Sequence, residues 1–484
     1  ARGADASLLN TFTVAGGELL ADAGASLGAG TIQVLTGGTV AATNGGSLGS
    51  GTLALSAGRL RMDAGGSAGT RAVTLSNSGR IEVYDGAGFD QGASLTIGGG
   101  TLEFRATTTL NIGVTLTANT IFSANTPAGA QEAITGTLAG FLTTTARSKV
   151  VVNGNARLRM AGGGSFISGG EIFVQSGGDL EIVSNKVTVT GYAGLESSGK
   201  RFAIADGGTF EMSNSGARLH AGHGSGNALF EVLTGGVFTA KSVVYVAVNG
   251  GDCTFRVNGG EAILEGSAGF ECGNGSAASD GRIELLAGTL RTGRQLTRGA
   301  GTGQVVFNGG TWEHDAALAP NPWIAATIPL TVEAGGGQFV LNSAEGVLGS
   351  AGLSGTGLLQ LTGGGALTFG AASPDWTGGL TLVDADAAAA ATNALGYGDV
   401  LLGTNTLRVS ADVLLPNHVY APLEGGCISV DEGVCGAVAE LSGGYLTKRG
   451  AGELVADNIK EGSDLSIQAG TVKVEPIAAV AKVP

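Results

Sequence analysis

A chain of 484 residues with 89 Gly, only 9 Pro and 14% charged residues is not built like an ordinary globular protein, and no three-residue glycine period makes it a collagen. A mean hydropathy of +0.26 is too apolar for a disordered tail. The net charge of −14 argues against a nucleic-acid partner and attracts divalent cations such as calcium only weakly and non-specifically, so no dedicated cofactor is expected.

From the N-terminus, a repeat dominates. GELLA begins at Gly17, GTVAA at Gly38, GRLRM at Gly58, GRIEV at Gly79 and GTLEF at Gly100, so the glycines stand 20 or 21 residues apart. Two positions after each glycine the residue is apolar (Leu19, Val40, Leu60, Ile81, Leu102), and two further on it is Ala21, Ala42, Met62, Val83 or Phe104. The positions between are mostly polar, which is the period of a half-buried strand. A second apolar column, Ile32/Val34, Leu53/Leu55, Val73/Leu75 and Leu95/Ile97, recurs in step, and SLGAG at Ser26 and SLGSG at Ser47 mark a weaker third feature. Such a unit buries its apolar row only by stacking on its neighbours. Glycine this frequent disfavours helical repeats, and a propeller blade needs about twice this period. The expected fold is all-β: a single-stranded parallel β-helix, or solenoid, of roughly 20 coils.

Beyond residue 150 the pattern continues at wider spacing through GDLEI at Gly178, GTFEM at Gly208, GVFTA at Gly236, GEAIL at Gly260, GTLRT at Gly288 and GTWEH at Gly310. The segment APNPW at Ala319 interrupts it, suggesting two β-helical regions, 1–318 and 319–484. No run of about 18 apolar residues occurs, so no membrane-spanning helix is expected. The first residue is Ala1, not Met, and no apolar leader follows, which reads as a cleaved export signal or a fragment.

Four cysteines stand in an otherwise cysteine-poor chain. Cys427 and Cys435 enclose CISVDEGVC, which reads as a disulfide-closed turn; Cys253 and Cys272 are about one repeat apart, so stacking would bring them together. Two disulfides are expected in preference to free thiols, implying an oxidising compartment.

Residues with chemical potential are few. Glu82 with Glu103, and Glu181 with Glu211, are the carboxylate pairs a glycoside hydrolase would need, but outward positions on an acidic surface explain them better. Asp384 and Asp386 form a weaker pair. His220 and His223 have H-x-x-H spacing without a third ligand nearby in sequence. Trp312, Trp323 and Trp376 suit either sugar stacking or core packing. No catalytic, cofactor or metal residue is assigned.

The C-terminal third carries more specific wording. LTGGGALTFGAASPDWTGGLTLVDA from Leu361, GGYLTKRGAGELVADN from Gly443 and IQAGTVKVE from Ile467 resemble the autotransporter-associated β-strand repeat. Leu446, Thr447, Lys448, Gly450 and Gly452 match its opening, Trp376 to Gly379 its turn, and Ala469, Gly470, Thr471 and Val474 its close. The resemblance implies a secreted β-helical passenger of a Gram-negative-type bacterium and carries no catalytic residues. No C-terminal series of alternating strands supplies a membrane barrel, which departs from a full autotransporter. The resulting expectation is an extracellular, non-catalytic structural protein that self-associates through its β-helix ends or terminal strands into a filament, sheath or layer. The alternatives are an adhesin that binds glycans or surfaces and, further off, a polysaccharide lyase or hydrolase.

Overall fold

A computed structural model of the chain describes residues 10–124, 134–144, 149–153, 157–162, 164–167, 170–196, 199–224, 226–314, 323–325, 327–349 and 352–476. Among these residues there is no helix, and the strands pair in parallel, winding a β-solenoid of about 20 turns. Two compact units are distinguished, Ala1–Val244 with Gly251–Cys253, and Tyr245–Gly250 with Thr254–Pro484. The change of region expected at 318/319 falls outside the described residues.

In the first unit the five glycine-led segments stack on one face. Gly17 lies opposite Gly38, Val40 opposite Leu60, Leu60 opposite Ile81, and Ile81 opposite Leu102. Their apolar side chains point inward: Val40, Leu60, Ile81 and Leu102 are all fully buried. Burying each such side chain contributes roughly 1.5–3 kcal/mol, repeated at every turn. The second apolar column forms the next face, with Ile32 opposite Leu53 and Leu53 opposite Val73. The SLGAG and SLGSG segments make a third: Ser26, Ser47 and Ser67 bridge in series, and each hydroxyl accepts the backbone N–H two residues on. From residue 108 that third face becomes true strands, such as Arg157–Met160, Asp179–Val183 and Arg201–Ala205.

The glycine motifs after residue 150 do not continue one column. GDLEI of Gly178 pairs with the strands at 157–160 and 201–205, whereas GTFEM of Gly208 pairs with Lys186–Val189 and Val237–Ala240. They occupy different faces. Each corner needs a small residue and each strand alternates, so the sequence pattern is the same on every face. The core here widens enough for rings: Phe202 packs on Phe210 and Phe230 at centroid distances of 4.8 and 5.2 Å, and Phe230 meets Phe238 edge-on at 5.0 Å.

The second unit repeats the plan. One face holds Glu345–Leu348, Ala366–Phe369, Asp386–Ala389, Thr406–Val409, Gly426–Val430, Leu446–Arg449 and Leu465–Ile467 in order. Another runs through Leu380–Leu382, Val400–Leu401, Val413–Ala421, Cys435–Gly443, Glu453–Ile459 and Thr471–Val474. Trp376, from the segment WTGG, is fully buried and donates its indole N–H to Gly357 O at 3.0 Å.

Candidate functional site: a polar trough over the corner glycines

The glycines that set the repeat in the first unit also shape its surface. A Cβ at Gly38 would lie 2.3 Å from Val14 O, one at Gly58 would lie 2.6 Å from Val34 Cγ1, and one at Gly100 would lie 2.4 Å from Gly79 O. Only hydrogen fits where one turn seats on the last, so no side chain fills the corner. Two open cavities result. One, of about 280 Å³, spans Gly37–Thr39, Ala57–Arg59, Ser78, Arg80 and Glu82. The other, of about 460 Å³, spans Asn77, Ser78, Gly98–Gly100 and Thr117–Asn119. Their linings meet at Ser78, and together they mark an open polar surface across successive turns.

Its charged wall is a cluster of arginines over two carboxylates. Glu82 is 1% exposed; it takes a hydrogen bond from Arg59 and another from Arg105 at 3.1 Å. Glu103, on the next turn, pairs with Arg80 and Arg105, each at 3.2 Å. Burial alone would pull the Arg59 pKa down; the hydrogen bond and charge of Glu82 more than reverse it. Arg61, two residues on from Arg59, pairs with Glu18 at 3.0 Å and Asp63 at 2.9 Å, so arginines and carboxylates are balanced on this surface. Arg59 and Arg80 keep 40% and 50% of their side chains exposed beside the trough. The Glu82–Glu103 pair is therefore not a hydrolase couple across an open cleft, because both carboxylates lie beneath guanidinium groups.

Most other charges bind turn to turn. Glu181 pairs with Arg159 at 3.1 Å and Glu211 with Lys186 at 2.8 Å, so these two acids serve separate ladders. Asp384 accepts the N–H of Gly363 at 2.5 Å and Asp386 that of Thr406 at 2.7 Å, each holding a neighbouring turn. His220 and His223 stack with ring centroids 5.4 Å apart, and Tyr192 lies over His220 at 6.5 Å. Burial, aided by His223 and Arg218, pushes the His220 pKa down to about 4. Among the described residues no group of three His, Cys, Asp or Glu is placed to hold a metal. Trp312, Trp323 and Trp376 are all buried and belong to the core, not to a sugar platform.

The cysteine expectation is corrected. All four cysteines are thiols, so neither expected bridge is formed. Cys427 and Cys435 lie at the starts of successive strands of different sheets, Gly426–Val430 and Cys435–Gly443, with Cys427 second in its strand. Cys253 and Cys272 likewise belong to different sheets, on Asp252–Leu264 and Phe270–Asn274, so they are not stacked equivalents. Burial raises the pKa of Cys427 and Cys435, keeping them from the reactive thiolate form.

Three arrangements had no clear sequence signal. Arg71 is fully buried and donates to the carbonyls of Leu48 and Gly30 at 2.6 Å, Gly28 at 3.0 Å and Thr52 at 3.1 Å. Lys448, also fully buried, donates to Arg449 O, Gly450 O and Ala469 O at 2.7–3.2 Å. That contact ties LTKRG to the AGT of the following turn, and the motif itself was the available signal. On the outer surface His418 bonds Ser442 Oγ at 2.5 Å and lies 3.6 Å from Asp399 and 3.5 Å from Glu440. This has the residue types of a nucleophile relay, but Ser442 is only 4% exposed and offers no approach to a substrate. A bulge between Leu415 and His418 sets the ring's position, and alternation alone does not reveal it.

Neither a family model nor a curated protein matches the chain.

Proposed function

We propose that the chain is a non-catalytic structural solenoid, exported to the cell surface, that self-associates through backbone edges. The observation supporting this reading is where the charged groups go: they lie in ladders joining each turn to the next. Arg157, Asp179, Arg201 and Glu231 form one such series over four successive turns, with Arg157–Asp179 at 2.9 Å and Arg201–Glu231 at 2.5 Å. Their carboxylates are largely covered and their guanidinium groups partly exposed, and each such pair is worth on the order of 1 kcal/mol. Repeated along a stack with one nearest-neighbour interface per turn, they favour mechanical continuity over a single active centre.

The assembly part rests on an edge. Leu465–Ile467 is an edge strand of its sheet among the described residues, and Ile467 is 52% exposed on it. An apolar edge with unpaired backbone groups is a template for another strand. Light scattering over a range of concentration, with negative-stain microscopy, is expected to show assemblies that Ile467→Lys reduces. A wild-type protein that stays monomeric at every concentration overturns the assembly reading.

A further inference from the structure

The first unit carries a sheet face without charge, on the strands Phe12–Val14, Ile32–Val34, Thr52–Ser56, Ala72–Ser76, Ser94–Gly98, Val114–Leu116 and Leu142–Thr144. We infer that this face packs side by side against the same face of a second copy of the chain. The inference rests on the self-association proposed above and adds a lateral contact to the edge contact.

The face is continuous. Its seven strands pair in series, and the outward central position runs in unbroken register from Thr13 to Thr143. None of the seven contains a charged residue. On these same turns the charges stand on the neighbouring sheet, at Glu18, Arg59, Arg61, Arg80, Glu82 and Glu103. Further along the stack charge returns with the paired Lys186 and Glu211. In a chain of net −14, two copies repel least where neither carries charge, so electrostatics favour this face for close approach.

The side chains suit a dry contact. Thr52 stands opposite Ala72 and Ala54 opposite Thr74, all four exposed, so larger and smaller groups alternate along and across the strands. A second copy has the same alternation at the same strand spacing of about 4.8 Å, so the projections of one meet the gaps of the other. Several hydroxyls are already bonded within or beside the face: Thr52 donates to Thr31 Oγ1 at 3.0 Å, Ser76 to Leu55 O at 3.3 Å, and Ser56 Oγ accepts from Asn77 at 3.1 Å. Groups bonded in this way lose less when water leaves. Two large apolar side chains flank the strands: Leu35, after Ile32–Val34, is 40% exposed, and Phe141, before Leu142–Thr144, is 49% exposed with its ring over Gly113. At the usual strand dimensions the face measures about 29 by 13 Å, or about 380 Å² a side. That is below the roughly 800 Å² per partner of a standard interface, so lateral pairing is weak between free chains and strengthens where edge contacts already hold copies together.

The test is negative-stain microscopy with light scattering on the full chain. Wild-type assemblies are expected to be at least two chains wide. Gln33→Glu combined with Thr74→Glu places charge on the face two turns apart and should reduce the assemblies to the width of one chain. Thr39→Glu with Thr101→Glu adds the same charge to the neighbouring sheet and should leave the width unchanged, and melting temperatures check that each variant is folded. Ile467→Lys should shorten the assemblies without narrowing them. Wild-type assemblies one chain wide, wild-type width in Gln33→Glu/Thr74→Glu, or equal narrowing by Thr39→Glu/Thr101→Glu would each overturn the lateral contact and leave the edge contact standing. A wild type that is monomeric at every concentration overturns both.

Discussion

Replacing Arg71 by methionine tests how the interior of the first unit is held. The guanidinium is buried with no carboxylate beside it, and burial lowers its pKa to about 10 from 12.5. That difference corresponds to a cost of about 3 kcal/mol for keeping the charge inside. Against it stand four hydrogen bonds to the carbonyls of residues 28, 30, 48 and 52, which lie on the two preceding turns. Bonds from a charged donor are worth about 1.5–3 kcal/mol each, so the arrangement is net stabilising. Methionine fills similar space but donates nothing, leaving carbonyls such as Leu48 O and Gly30 O without the arginine donor. The expected loss is about 3–5 kcal/mol, the range for removing one side of a buried polar set. Arg71→Ala should lose more, since it also opens a void. Solenoid stability is largely a sum of neighbouring turns, so the assay is native-state hydrogen exchange. Protection should fall in Ile32–Val34, Thr52–Ser56 and Ala72–Ser76 and stay unchanged around Phe202–Phe238. If Arg71→Met leaves exchange in those three strands within about 0.5 kcal/mol of wild type, the carbonyl-capping argument is wrong.

The other expectations concern the corners and the ladders. Gly38→Ala should cost at least about 3 kcal/mol because its Cβ would meet Val14 O at 2.3 Å, while Gly17→Ala, with φ of +75° and nothing within 4 Å, should cost only about 1 kcal/mol. Calorimetric melting temperatures would check this, and equal shifts would remove the steric reading. His220 titrates near 4 in the fold against 6.5 when exposed, so the unfolded chain takes up the proton first as pH falls. Stability is therefore complete above about pH 6.5 and declines down to about pH 4, by at most about 3 kcal/mol, and His220→Gln should flatten that slope in acid-induced unfolding. Burial would raise the Glu284 pKa, yet hydrogen bonds from Arg256 and Arg282 outweigh it and lower it. Its contribution is then present above the ordinary carboxylate range and lost as pH falls through the lowered value. Glu284→Gln should cost about 1–2 kcal/mol in urea unfolding at neutral pH and nearly nothing once the wild-type carboxyl is protonated.

By itself the sequence determined the coil. Glycines every 20 or 21 residues, with two apolar columns in step, leave little besides a parallel stack, and the register Gly17–Gly38 with Leu60–Ile81 is the one the periodicity implies. Alternation reports which side of a strand is apolar, a local property, so inward and outward residues were legible too. Tertiary structure alone decided which turn-mates meet. Gly178 and Gly208 carry the same local wording yet lie on different faces, because every corner makes the same steric demand. The cysteines fell to separate sheets because face assignment depends on how many residues each preceding corner takes up. Arg71 carries no signal in the sequence and Lys448 only its place in LTKRG; their roles exist once the stack closes carbonyls around them. The trough has the same origin: the glycines were visible in the sequence, but the empty space above them, and the arginines beside it, exist only once five turns are laid on one another.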